Sequence, residues 1–260
     1  MPFNTEAIWH QKSGLCLALI FLLTHLPGAN VVFAQDLGPI NTERPSFSSS
    51  PLALPTGFWQ IEAGYQYTRN VGTNSSKDHT LPNALLRFGF HERLEFQLNW
   101  SGYTRLISDG AKTKGLKDAS LGVKWQVNRA DAAVAIGLFA GVSLPVGDKE
   151  FTSDDYDPEF AVFWTHSGRL DWFGTAKWSE SGNKYKLENA VGINFSAAQN
   201  TGGYIEYKGS FPEGQGPAHD LNFGVTWLLS DDLQVDLNGG VGLNKRASDF
   251  FVGTGIAYRW

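Results

Sequence analysis

The feature that most restricts this chain is a period-two alternation that recurs from residue 59 to the last residue, Trp260. In "FWQIEAGYQYT", Trp59, Ile61, Ala63, Tyr65 and Tyr67 share one face, while Gln60, Glu62, Gly64 and Gln66 share the other. Successive side chains of a strand point to opposite sides of the sheet, so each such stretch reads as a strand with an apolar and a polar face. "RLEFQLNW", "SLGVKWQV", "YKLENAVGINF", "DLNFGVTWLL" and "LQVDLNGGVGLN" repeat the pattern. The terminal "DFFVGTGIAYRW" places Phe250, Val252, Thr254, Ile256, Tyr258 and Trp260 on one face. Fainter versions near 81–90, 133–144, 159–166, 169–179 and 203–211 bring the expected strand number to twelve.

A chain that stops on such a strand leaves an exposed apolar edge in any open sheet, which is an aggregation hazard. Pairing the last strand with the first removes that edge. Strands of about 9–11 residues cross a bilayer when tilted, and most of the stretches above approach that length. A soluble, lipocalin-like barrel would turn its apolar face inward. Trp and Tyr near strand ends, Gly and charge on the minor face, and the aromatic terminus favour lipid on the outside. The expected fold class is all-β: a transmembrane antiparallel up-and-down β-barrel over residues 56–260, in the outer membrane of a Gram-negative cell. Longer connections are expected near 69–80, 105–115, 145–157 and 211–218, and shorter polar ones near 180–184 and 245–248. Tight turns are expected near 91–93, 128–132, 166–169, 196–202 and 230–232, with both termini periplasmic.

Ahead of the strands, "KSGLCLALIFLLTHLPGANVVFAQD" carries Lys12, an apolar core over residues 15–26 and a small-residue site ending at Ala34. This predicts a signal peptide over residues 1–34, too short for a membrane span. The only cysteine, Cys16, lies inside it, so the exported chain has no disulfide. Residues 35–55, "QDLGPINTERPSFSSSPLALP", have no alternation and hold four prolines. They predict an irregular segment, periplasmic or entering the lumen.

Chemistry-bearing motifs are sparse. The net charge of −5, without a basic block, argues against nucleic acid. His79, His91, His166 and His219 form no HxH or HExxH motif, so no metal site or cofactor is expected. The acidic "TSDDYDPE", with Asp154, Asp155, Asp157 and Glu159, lacks EF-hand spacing and reads as a solvated loop. His166-Ser167 is the one neighbouring His/Ser pair and no GxSxG occurs, so no catalytic residues are assigned. Gly240, Gly242, Gly253 and Gly255 fall on the lumen phase, where they give close packing or room.

The charges on the lumen phase are the candidate solute pathway: Glu62, Arg87, Glu95, Lys124, Lys177, Lys186, Glu188, Glu206, Lys208, Asp236 and Arg259. Facing lipid at mid-bilayer, such groups would cost roughly 2–4 kcal/mol each. Two readings stay open, a salt-bridge network filling a closed lumen and a polar path for solute. A turn at 91–93 would set Phe90 opposite Leu94 and Arg87 diagonal to Glu95, a pair that favours the network. Glu43 and Arg44 would join it if the N-terminal segment enters the lumen.

"TERPSFSSSP", "GFWQIEAGYQYTR", "LRFGFHERLEFQLNW", "LKDASLGVKW", "AGVSLPVGD" and "SDFFVGTGIAYRW", in that order, resemble an outer-membrane "transporter" family named for the meta-pathway of phenol degradation. The resemblance covers roughly residues 42–260. It implies an outer-membrane barrel with an uptake role for small, aromatic or hydrophobic compounds, and supplies no catalytic residues. The leading expectation is a passive channel or transporter whose partners are outer-membrane lipid, the barrel assembly machinery and a small-molecule solute. The alternatives are a structural or adhesion barrel with a filled lumen and functional loops, and, third, a barrel enzyme.

Overall fold

The computed structural model describes residues 37–71 and 75–260. The segment read as a signal peptide lies outside the described residues. All regular structure among the described residues is β. The strands are β1 (Trp59–Asn70), β2 (Ser76–His91), β3 (Leu94–Trp100), β4 (Tyr103–Ser108), β5 (Ala111–Leu116), β6 (Ala119–Gln126) and β7 (Val134–Leu144). They continue with β8 (Asp157–His166), β9 (Asp171–Ser181), β10 (Lys184–Ala198), β11 (Thr201–Pro212), β12 (Ala218–Ser230), β13 (Leu233–Gly242) and β14 (Phe250–Arg259).

Four of these stretches are halves of two longer spans. β3 pairs with one end of β2 (Arg87↔Gln97) and β4 with the other (Thr80↔Thr104). β6 and β5 run beside β3 and β4 in the same way. Pro82 explains the break. Proline has no N–H to give a ladder, and at Pro82 β2 changes partner from β4 to β3, while on its other side β2 bulges, with Leu81 and Pro82 both opposite Tyr65 of β1. At the joint between β3 and β4, Gly102 has φ +74°, and a Cβ there would meet the Pro82 carbonyl. With the two pairs joined, twelve antiparallel spans remain, and β14 pairs with β1 from Gln60↔Arg259 to Arg69↔Phe250, closing the barrel.

Burial is inverted relative to a soluble barrel. Gln60, Glu62, Glu95, Lys124 and Asn222 are 0% exposed, whereas Phe96, Trp125, Phe160, Phe223 and Leu237 are 47–53% exposed. Large apolar side chains outside and polar ones inside place the barrel in the outer membrane, the environment in which closed barrels solve the backbone hydrogen-bonding problem. Aromatic pairs sit at the rim that carries the short turns: Trp59 stacks on Phe88 with ring centroids 4.4 Å apart, and Tyr258 on Trp260 at 5.8 Å.

Two connections expected to be long are strand instead. β1 and β2 remain paired as far as Asn70↔Ser76, and β4 and β5 as far as Ser108↔Ala111. Their charged, non-alternating sequences read as loop because the outer face there meets polar surroundings and no longer needs apolar residues. The β2–β3 turn differs by one residue. His91, not Phe90, pairs with Leu94, because a bulge after Gly89 absorbs Phe90.

Candidate functional site in the barrel lumen

Residues 37–58 form no strand or helix and lie within the barrel. An irregular segment must still satisfy its backbone polar groups when buried. Here the barrel wall does so with charged side chains. The Glu62 carboxylate accepts from the backbone N–H groups of Glu43 (3.0 Å) and Arg44 (2.9 Å), and from Gln60 Nε2 at 2.9 Å. The Glu95 carboxylate accepts from Leu54 N (2.5 Å) and Gln97 Nε2 (2.6 Å). Between them the Arg87 guanidinium makes a bidentate pair with Glu95 at 2.9 and 2.8 Å, reaches Glu62 at 3.3 Å and Glu43 at 3.2 Å, and donates to the Asn41 carbonyl at 2.8 Å. Lys124 pairs with Glu43 and, at 3.4 Å, with Glu95. None of these five side chains is more than 8% exposed. Two cations meet three carboxylates, and the segment's N–H groups supply the rest of the positive potential that buried carboxylates require.

Across the lumen the same device recurs. Glu206 on β11 accepts from Phe47 N and Ser48 N, both at 2.8 Å. Asp236 on β13 holds the Arg44 guanidinium through two contacts of 3.2 Å. Tyr204 and Asn238 donate to the Pro45 carbonyl at 2.9 and 3.3 Å. Arg259 donates to the Gly38 carbonyl at 2.9 Å and pairs with Asp232 at 2.6 Å. Lumen-phase glycines make room for the segment. A Cβ on Gly137 would sit 2.7 Å from Pro51 Cα, one on Gly89 2.7 Å from the Pro55 carbonyl carbon, and one on Gly64 or Gly255 would collide with the Arg44 guanidinium.

The remaining candidate charges form a separate group nearer the long-loop rim. Glu188 pairs with Lys186 (3.0 Å) and Lys208 (2.9 Å), and Lys177 pairs with Glu159. Lys208 also sits 4.4 Å over the Phe47 ring, a cation–π contact above the segment. Every sequence-derived lumen candidate thus faces inward, but they split between a sealed cluster and a wetter one. Glu43 joins the sealed cluster, whereas Arg44, paired with Asp236, borders open lumen space. The diagonal Arg87–Glu95 pair forms despite the shifted turn.

The acidic residues of "TSDDYDPE" do not converge. Asp157 accepts from Gly182 N at 3.0 Å, Glu159 is held by Lys177, and Asp154 and Asp155 are exposed. Among the described residues no group of three or more His, Cys, Asp or Glu is placed to hold a metal ion. His79 and His219 instead accept or donate to tyrosines, Tyr65 at 2.8 Å and Tyr207 at 2.7 Å. Sequence reasoning missed the neutral lumen groups Gln60, Gln97, Tyr204, Asn222, Gln234 and Asn238. The alternation phase carried the signal, since each occupies an inward position on its strand.

The segment does not fill the barrel. A cavity of about 460 Å³ remains between residues 39–50 and the wall, lined by Thr165, Phe173, Asn194, Tyr204, Thr226 and Gln234 among others. Ser48 also borders it, and its buried hydroxyl has no partner among the described residues.

The profile of a family described as "Putative MetA-pathway of phenol degradation" matches residues 42–260. Among solved structures the chain is similar to the COG4313 outer membrane channel from Pseudomonas putida F1, with a TM-score of 0.58 and 17% identity, over 81% of this chain and 98% of that one. It is also similar to the translocator domain of autotransporter NalP from Neisseria meningitidis, with a TM-score of 0.51 and 9% identity, over 80% of this chain and 90% of that one. No curated protein sequence matches. At these identities the two structures establish the fold, a closed outer-membrane barrel.

Proposed function

The chain belongs to the family described as "Putative MetA-pathway of phenol degradation", and from that premise we propose that it is a passive outer-membrane channel for small solutes, aromatic and apolar ones included. The observation that carries this reading is the 460 Å³ cavity left beside the N-terminal segment. The segment is a constriction tied to the wall, with space along β8–β13. Phe173 and Tyr204, edge to face at 6.2 Å, border that space beside hydroxyl and amide groups, a lining suited to a small aromatic solute bearing a polar substituent. A solute entering from the long-loop side first meets Lys177, Lys186, Glu188 and Lys208, then passes the anchors Glu206, Arg44 and Asp236. Glu62, Arg87, Glu95, Lys124, Glu43 and Arg259 serve the route by fixing the segment. The name of the similar Pseudomonas protein, an outer membrane channel, supports passage as the role. No catalytic step is assigned to the barrel, and insertion is assigned to the barrel assembly machinery.

A second reading, a structural or adhesion barrel with a filled lumen and active loops, is favoured by the five-charge cluster, whose burial is that of a plug. Single-channel recording on the refolded mature protein separates the two. A small, discrete conductance, with liposome uptake of a phenol-sized solute faster than that of a disaccharide, is the expected result. Bilayers that stay silent and liposomes that admit neither solute would overturn the channel reading in favour of the plug.

A further inference from the structure

The lumen accounts for only part of this chain's charge. At the long-loop end of β1, β2, β4 and β5, registers Tyr67↔His79, His79↔Arg105 and Arg105↔Lys114 align one rung across four strands. The next rung is Arg69↔Lys77, Lys77↔Ile107 and Ile107↔Lys112. Directly paired residues share a face, as do residues two apart. Tyr67 belongs to the outward phase, so Arg69, Lys77, His79, Arg105, Lys112 and Lys114 all point away from the lumen.

Three observations make this patch more than a solvated surface. Like charges directly opposite each other destabilise a sheet, yet Arg69 faces Lys77 and Arg105 faces Lys114. The chain as a whole is acidic, at −5, so basic composition does not produce the concentration. None of the Lys and Arg side chains in the patch has an ion pair among the described residues. Asp78, between Lys77 and His79 in sequence, lies on the inward phase with Thr104 and Lys117.

The height of the patch is equally informative. Arg69 lies ten positions beyond Trp59, the aromatic residue at the short-turn rim. At about 3.3 Å per residue and a tilt near 40°, that is a rise of ~25 Å, the height of the apolar band of such barrels. Immediately below, Leu81↔Tyr103 and Tyr103↔Leu116 form an apolar rung on the same outward phase. The cations therefore sit where the apolar band ends. Short turns face the periplasm in these barrels, so this is the outer leaflet.

We propose that this four-strand face docks the phosphorylated headgroup of an outer-leaflet glycolipid. The phosphates would lie against Arg69, Lys77 and Lys112, with Arg105, Lys114 and His79 on the rung below. His79 is held there by Tyr65, whose hydroxyl is 2.8 Å from Nδ1, and by the Tyr67 ring at 4.9 Å. The docked anions remove the repulsion that the bare register leaves.

The test uses the mature barrel refolded in detergent, with native mass spectrometry measuring retention of bisphosphorylated lipid A against its dephosphorylated form. Wild type is expected to retain the phosphorylated lipid at least about tenfold more tightly, with affinity falling as salt rises. Arg105→Gln, Lys112→Gln and Lys114→Gln combined should weaken it by roughly fivefold per cation removed. Removing two cations at the opposite rim, Arg93→Gln with Arg129→Gln, should leave retention unchanged. Heat-modifiable migration confirms folding. If the triple variant does not fold, the single reversal Lys112→Glu is read in the same assay. Equal retention of both lipids, undiminished retention by the variant, or complete displacement by millimolar inorganic phosphate would each overturn the proposal.

Discussion

Two groups of lumen charges use the same residue types on the same face of neighbouring strands, yet they differ in kind. Glu62, Arg87, Glu95 and Lys124 are sealed, with side chains 0–1% exposed. Lys186, Glu188 and Lys208 are 16–42% exposed. The first group is buried because the N-terminal segment lies against it and donates backbone N–H groups to its carboxylates. The second group has no such lid. Alternation decides that a charge points inward, but the presence of a second chain segment decides whether it becomes structural. Ion pairs in the sealed group are costly to break singly, because the partner stays buried. Pairs in the open group can be resolvated at little cost.

The sharpest way to break this comparison is Arg87→Ala. It leaves Glu62, Glu95 and Glu43 facing one another with one cation nearby, and a loss of about 3–5 kcal/mol is expected. Urea titration of the refolded barrel measures it. A loss below 1 kcal/mol would show that water already reaches the cluster. Next in size is Glu206→Gln. An amide cannot accept from Phe47 N and Ser48 N with both of its heavy atoms, so about 1–3 kcal/mol of local anchoring is expected to go. Residues 37–55 should become protease-sensitive while the barrel remains heat-modifiable. Lys186→Ala, in the open group, should cost under about 1 kcal/mol and shift ion selectivity toward cations in reversal-potential measurements.

The smallest effect is expected outside the membrane, at the β6–β7 turn. There Arg129 makes two hydrogen bonds of 2.9 Å with Asp131. Those bonds, then the guanidinium charge, hold the Asp131 carboxyl below its ordinary value. A depressed carboxyl contributes stability above its unfolded pKa and loses it as pH falls through its folded pKa. Both groups are open to water, so Arg129→Ala should leave the acid limb of the unfolding profile unmoved.

The twelve spans were legible because each must alternate to face lipid on one side, and the same alternation set the inward phase of charges such as Glu62, Arg87, Glu95 and Lys124, though not of Glu159, which reads as loop. Arg87–Glu95 was legible because a hairpin fixes its register locally. The partners of Glu206 were not. They are backbone N–H groups 158 and 159 residues away, in a segment with no periodicity. The inward glycines read only as small residues until Arg44, Pro51 and Pro55 were seen against them. The outward basic face was hidden by the break at Pro82, since β2 reaches β4 rather than β3 at that height, and the stretch carrying its cations lacks the alternation that marks a strand.

The bond between Arg259 and the Gly38 carbonyl links positions 221 residues apart, close to the largest separation the described chain allows. Ile40 N likewise donates to the Asp231 carbonyl at 2.7 Å. The first described residues are therefore fastened by the β12–β13 turn and by β14. Loop-closure entropy opposes such contacts until the intervening chain is ordered, so the segment acquires its final grip only when β14 arrives beside β1. Sealing the wall and completing the anchorage of the segment are then one late event in assembly, and a chain arrested one strand short would present an open sheet whose N-terminal segment lacks the Arg259 tie.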